Sequence, residues 1–345
     1  VDEWQVERSV WNAIRREVDK RGKFGQFILT GSSVLPEDVD SHTGAGRMRR
    51  LRLRPMTFFE NGISSGEVSI SKLFEDEVDV VGQSDLEIKD VIDQLCIGGW
   101  PVYAKLTPND AQEAMQAYLN EIVHTDMHRV DGVKRDPTRI KKVLRSYSRH
   151  ISTQADLATI SKDVYANTGA DNSKTVASDL AVLERLMLVE EIPAWSPHLR
   201  SRITLRKTAT RHFVDPCLAA AMLSASPTKL FNDLNSFGLL FESLAVRDLR
   251  VYSQPLGAEL FHYRDNKGLE IDVIISLADG RWAAIEVKLG TAWIDDAAGH
   301  LLQLVEKVDA EKIGKPTFLA VLTSTGSAYQ RRDGVLVLPI GTLGP

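Results

Sequence analysis

Two acids and an amine late in the chain have the types and spacing for phosphate chemistry. Asp272 interrupts the apolar run IDVII, and Glu286 and Lys288 lie in IEVK. Residues two apart on a strand project from one face, so Glu286 and Lys288 point the same way while Ile285 and Val287 point into a core. Carboxylate oxygens are the hard donors that Mg²⁺ takes. A divalent ion held by two of them can orient a water and offset charge on a phosphate, and lysine adds a point charge beside it. Asp272, Glu286 and Lys288 are therefore the candidate catalytic set. Read without chemistry, the same residues are a cross-strand ion pair of small energetic effect.

Positioning these groups calls for a hairpin. Residues 271–276 and 282–287 are rich in β-branched and apolar side chains, and Asp279-Gly280 between them suits a tight turn because both tolerate positive φ. That turn sets Asp272 across from Glu286. Helical periodicity flanks the hairpin at 237–252 and 295–308, and further strands are predicted at 317–323 and 334–339. Helix, strand with Asp, turn, strand with Glu-x-Lys and helix, in this order, resemble the PD-(D/E)XK nuclease-like fold. The resemblance implies an acid on the preceding helix, matched by Glu242, which would join Asp272 and Glu286 as a metal ligand. It also implies a polar residue on the following helix, matched by Gln303.

The chain has 345 residues, 43% hydrophobic and 26% charged, which suits a globular protein of several domains and excludes a fibre or a disordered chain. A net charge of −5 makes any nucleic-acid contact a matter of local patches. Cys96 and Cys217 lack metal-ligand spacing, which excludes a zinc-finger framework and suits a reducing cytoplasm. No apolar run reaches the roughly 18 residues of a membrane span.

From the amino terminus, VDEWQ reads as the end of a buried strand, followed by an amphipathic helix through Val10, Trp11, Ile14 and Val18 and a second strand in FILTGSS. Strand, helix and strand suggest part of a parallel α/β sheet, with Thr30-Gly31-Ser32 where such sheets bind ligands. Five arginines crowd GAGRMRRLRLR, and GGWP breaks a helix at Gly98-Gly99. His124 and His128, i and i+4 on one predicted helix, could share a metal ion, although no third ligand stands near them. The segments 138–151, 155–166 and 173–189, followed by a strand-like stretch, have the pattern of a winged helix. Its third helix carries Lys174, Thr175 and Ser178, and Arg200, Arg202, Arg206, Lys207 and Arg211 surround the wing. That basic cluster favours DNA as a partner. Asp171, Asp179, Glu184, Glu190 and Glu191 weigh against it, and many such modules serve only protein packing.

VDEWQ, FILTGSS, GAGRMRRLRLRPMTFFE, GGWP and YRDNKGLEIDV with IEVK, in that order, resemble a bacterial and archaeal family of AAA-type P-loop ATPases that carry a carboxy-terminal domain of unknown function. The resemblance implies that Asp2 and Thr30 contact ATP and its Mg²⁺, that Glu3 activates the attacking water, and that Arg47 is directed at a phosphate, in a protein that forms a homo-oligomer. Arg47 and its neighbours equally describe a solvated basic strand edge. No stretch matches the phosphate-binding loop G-x-x-x-x-G-K-[ST]. GADNSKT at 169–175 lacks the glycine before Lys174, so the expectation is an amino-terminally truncated chain that binds ATP weakly or not at all.

The expected architecture is multidomain α/β. Residues 1–62 form part of an AAA-type domain, 63–134 a helical linker or lid, 135–225 a winged helix, and 226–345 the nuclease-like domain. Three functions stay open: an ATP-driven, nucleic-acid-associated protein, a Mg²⁺-dependent nuclease, or a nuclease fold that has lost activity and serves binding or assembly.

Overall fold

Strands β4 (Glu270–Ser276) and β5 (Trp282–Lys288) form the expected hairpin. Gly280 adopts φ 93°, and the turn closes through the Leu277 N–H to the Arg281 carbonyl at 2.8 Å. The computed structural model describes residues 1–7, 9–31, 46–75, 80–166, 172–196 and 208–345. Around the hairpin lies a mixed seven-stranded sheet in the order β2-β7-β8-β6-β5-β4-β3. Its other strands are β2 (Gly82–Ser84), β3 (Glu259–Arg264), β6 (Phe318–Thr323), β7 (Gly326–Gln330) and β8 (Leu336–Pro339). The central strands β5, β6 and β8 run parallel and are apolar nearly throughout, because both faces of the sheet are covered.

Val273, Ile275 and Ile285 face a core that includes Phe241, Leu244 and Ala245, from the helix Leu234–Ser253. Ile274, Ala284 and Trp282 face Ala297, Ala298 and Leu301, from the helix Ile294–Lys307. The first helix starts where the Asp233 side chain accepts the Ser236 N–H. The second has Asp295 and Asp296 in its first turn and Lys307 in its last, complementing its dipole.

Residues 63–87, expected within a helical linker or lid, instead carry two short strands that join the carboxy-terminal unit. Strand β1 (Val68–Ser69) pairs in parallel with β9 (Leu343–Gly344), and β2 pairs antiparallel with β7 at the sheet edge. The helical unit runs through Ile88–Ile97, Pro108–Glu121, Pro137–Arg149, Leu157–Val164, Ser173–Arg185 and Pro216–Leu223. The helix predicted to carry His124 and His128 turns π-helical at Ile122–Asp126. Asn172 occupies the N-cap of Ser173–Arg185 without a capping side-chain bond.

After that helix the backbone bridges Val189 to Phe213 and Ile192 to Thr210, then Ala194 to His262 on β3. The Trp195 N–H donates to the His262 carbonyl at 2.6 Å, and the His262 N–H to the Pro193 carbonyl at 3.0 Å. The extended segment after the third helix therefore continues the main sheet. Arg200, Arg202, Arg206 and Lys207 lie outside the described residues, as do Ser32, Ser33 and Asp171.

Buried charge ties the parts together. Arg247 donates to Asp215 and to Asp248, both at 2.8 Å, with all three at most 2% exposed. Asp215 in turn accepts the Gly99 and Cys217 N–H groups, each at 2.9 Å, and Asp248 accepts that of Phe58 at 3.1 Å. GGWP and RPMTFFE thus meet at one buried network. No helix among the described residues is long and apolar enough to cross a membrane.

Candidate active site

A β-bulge aims Asp272. Strand β3 pairs Phe261 with Ile274 and Tyr263 with Ile271, so His262 alone faces both Asp272 and Val273. The β4–β5 ladder also ends at Val273 and Ile285, one step short of Asp272 and Glu286. Freed from the ladder, Asp272 turns its carboxylate to the neighbouring strand, where Oδ2 accepts the Val287 N–H at 2.8 Å.

Lys288 joins the two acids. Its Nζ lies 2.5 Å from Glu286 Oε2 and 3.4 Å from Asp272 Oδ2. Glu286 is 2% exposed. Burial and the Asp272 charge push its carboxyl up to about 8, against the pull of Lys288. Burial works against the Lys288 ammonium too, yet Asp272 and Glu286 hold it above the ordinary amine range. Glu242 reaches the cluster from the helix Leu234–Ser253. Burial raises its carboxyl well above the usual range, with the charges of Asp272, Glu286 and Glu270 adding to the effect and Lys288 opposing it.

From the opposite face, His300 Nδ1 stands 3.7 Å from Glu286 Oε1. Gln303, the residue expected there, is exposed one turn further on. The signal for His300 was its position on the same helix, but the sequence carries nothing to choose between adjacent turns.

Asp272 and Glu286 are hard-oxygen groups gathered on one cation, the ammonium of Lys288, which stands in for an ion at that point. Mg²⁺ is usually held by one or two carboxylates, with water and substrate phosphate completing its shell, so this pair fits the ion. No group of three His, Cys, Asp or Glu among the described residues is placed to hold a metal. Glu242, its carboxyl held toward the neutral form, therefore does not complete a three-ligand set with Asp272 and Glu286. His124 and His128 belong to no such group either, and His124 Nδ1 bonds the Asn120 carbonyl at 2.7 Å.

At the amino terminus the Thr30 hydroxyl donates to Asp2 Oδ1, and this bond lowers the Asp2 carboxyl. The Val1 ammonium bonds the Ile28 carbonyl at 2.8 Å, and the Thr30 N–H bonds the Val1 carbonyl at 2.9 Å. The two segments thus lie side by side in parallel, but neither forms the expected strand: Trp4–Val6 is a 3-10 helix and residues 26–31 have no regular structure, since too few backbone bonds join them. Glu3 is exposed with φ 45°. Arg47 pairs with Asp19 at 2.5 Å.

Residues 88–229 match the model of a domain of unknown function (DUF8612), and residues 237–343 match a second domain of unknown function (DUF4143). The second match spans Glu242, Asp272, Glu286, Lys288 and His300. Searches of curated proteins and of solved structures gave no match.

Proposed function

We propose that the carboxy-terminal sheet carries a divalent-metal-dependent site that hydrolyses phosphodiester bonds in nucleic acid, on a nuclease-like PD-(D/E)XK scaffold. The observation that carries this reading is the convergence of the Asp272 and Glu286 carboxylates on Lys288, with Asp272 aimed by the bulge. Asp272 and Glu286 are the residues to hold Mg²⁺, with Glu242 beside them. The bound ion supplies a Lewis acid and a water of lowered pKa. The Val287 N–H fixes the Asp272 carboxylate, and Lys288, 28% exposed, is the chain's own cation for the scissile phosphate.

Nucleic acid as the substrate is supported by how the helical unit, read as a winged helix, uses its acids. Asp179 is buried against Arg135 and Arg139, Glu190 lies among Arg52, Arg54 and Arg250, and Glu191 pairs with Arg211. Lys141, Lys142, Arg145 and Lys174 remain exposed. Three of the five acids that weigh against DNA in the sequence, Asp179, Glu190 and Glu191, are thus held by internal partners, while Arg211, expected beside the wing, is buried on Glu191 and withdrawn from the basic cluster.

The test is incubation of labelled DNA with the full chain and Mg²⁺ or Mn²⁺. Cleavage is expected, and Asp272→Ala should abolish it while leaving the fold intact. Equal cleavage by both proteins, or none by the wild type, defeats the proposal.

A second reading assigns residues 1–62 to an AAA-type nucleotide-hydrolysing domain. It is favoured by the Asp2–Thr30 hydrogen bond and the parallel run of their segments. Glu3→Gln should then trap bound nucleotide, and unchanged ATP turnover counts against the assignment.

A further inference from the structure

Three guanidiniums converge on one carboxylate away from the cluster just described. Arg54 grips Glu190 with two bonds, of 2.7 and 3.0 Å, while Arg52 and Arg250 approach it at 2.8 and 2.9 Å. Burial raises the Glu190 carboxyl, but the Arg54 hydrogen bond and the charges of Arg250, Arg54 and Arg52 outweigh it and bring the group to about 2. Glu190 is therefore ionised at neutral pH, and the group of four keeps two uncompensated positive charges. Burial and then the Arg250 charge hold the His212 imidazole well below its usual value.

The three arginines are not equally engaged. Arg54 also bonds Gln254 at 2.6 Å, and Arg250 bonds the Glu191 carbonyl at 3.0 Å. Among the described residues the Arg52 guanidinium contacts only Glu190, and its side chain is 33% exposed, which leaves donors of its five to spare. Arg52 and Arg54 line a cleft of about 240 Å³ whose wall includes Trp100 and Tyr118, with ring centroids 6.0 Å apart. Met187, also in the lining, is held at φ 57°. That conformation closes the helix Ser173–Arg185, with the Met187 N–H on the Glu184 carbonyl at 2.9 Å and the Leu188 N–H on the Leu183 carbonyl at 3.0 Å.

We propose that this cleft binds a phosphorylated nucleoside, with the phosphate on Arg52 and Arg54 and the base against Trp100. Planar guanidinium groups match phosphate oxygens in pairs, and an aromatic wall accepts any base by stacking. At about 240 Å³ the cleft has room for one nucleotide at most and not for a run of them. The site is separate from Asp272 and Glu286, and its fate is independent of the nuclease reading.

The experiment is calorimetric titration of the full chain, without divalent ions, with AMP, adenosine and inorganic phosphate. AMP should bind at least tenfold more tightly than either of the others. Arg52→Gln should weaken AMP at least tenfold, and Trp100→Leu should bring AMP down to the level of phosphate. Asp272→Ala and Asp2→Ala should leave AMP affinity unchanged, which separates this cleft from the carboxylate cluster and from the Asp2–Thr30 pair. A 5′-phosphorylated oligonucleotide that competes with AMP identifies a chain end as the source of the nucleotide, and failure to compete identifies a free one; either result keeps the site. AMP binding no tighter than adenosine or phosphate, or unaltered by Arg52→Gln, overturns it.

Discussion

Substituting Glu286→Gln should stabilise the protein in alkaline buffer while removing its chemistry. The folded Glu286 carboxyl sits at about 8 against an ordinary 4.5, because burial and Asp272 oppose its ionisation. Between those values the folded chain holds a proton that the unfolded chain releases, so stability falls as pH rises through the interval. At about 1.36 kcal/mol per pH unit the full climb is worth at most about 5 kcal/mol. The Lys288 contact is partly lost in the variant, which leaves an expected gain of roughly 2–4 kcal/mol above pH 8 and little difference near pH 4.5. Urea unfolding followed by tryptophan fluorescence from pH 4.5 to 8.5 measures both curves. Mg²⁺ should add stability to the wild type increasingly as pH rises, since ion and proton compete for the same oxygens, and should add less to Glu286→Gln. Parallel stability curves for the two proteins across this range would refute the account of Glu286 as a buried acid held against its charge.

Other substitutions probe the frame around the site. Arg247→Met leaves Asp215 and Asp248 facing each other in the core, and should cost about 3–5 kcal/mol in urea unfolding at neutral pH. Burial already raises the Asp248 carboxyl against the pull of Arg247, so removing Arg247 raises it further and the deficit should shrink as pH falls; a loss under about 1 kcal/mol at neutral pH contradicts this. A Cβ at Gly99 would stand 2.3 Å from the Met56 carbonyl oxygen, so Gly99→Ala should destabilise by about 1–3 kcal/mol. Gly299, helical with nothing within 4 Å of a Cβ, is the control: Gly299→Ala should stabilise by about 0.5–1 kcal/mol, and thermal melts of the two variants should move in opposite directions.

Much of the carboxy-terminal framework was legible because its signals are local. The run IDVIIS, the Asp279-Gly280 turn and WAAIEVK each specify their own conformation, and the helices on either side repeat apolar residues at helical spacing. Strands β3 and β7, reading ELFHYR and GSAYQ, were not legible: half their residues are polar, and partner strands rather than local preference make them strands. The same limit hides the buried charges. Arg54 and Glu190 are 136 positions apart, and Arg247 and Asp215 are 32 apart, so each reads in isolation as a surface residue. Only the fold shows that GGWP and RPMTFFE pack onto the buried acids Asp215 and Asp248.

The spacing of the acids on their strands placed the Asp272 and Glu286 pair, but the aim of Asp272 came from the bulge. On a regular strand Asp272 would stand within the ladder beside Ile274, on the face covered by the helix Ile294–Lys307. Two residues of β4 opposite His262 break that alternation and leave Ile271 and Ile274 together on that face. The extra residue needs a partner strand that can bend around it, and β3 is fastened on its far side by His262 to Pro193 and Trp195. His262 extends this fastening through its ring, which contacts Gln154 Nε2 at 3.3 Å and the Thr208 carbonyl at 3.2 Å. The position of a carboxylate essential to the proposed chemistry therefore depends on a segment some eighty residues earlier in the chain. Periodicity within β4 carries no trace of that segment, which is why the pairing could be read from the sequence and its geometry could not.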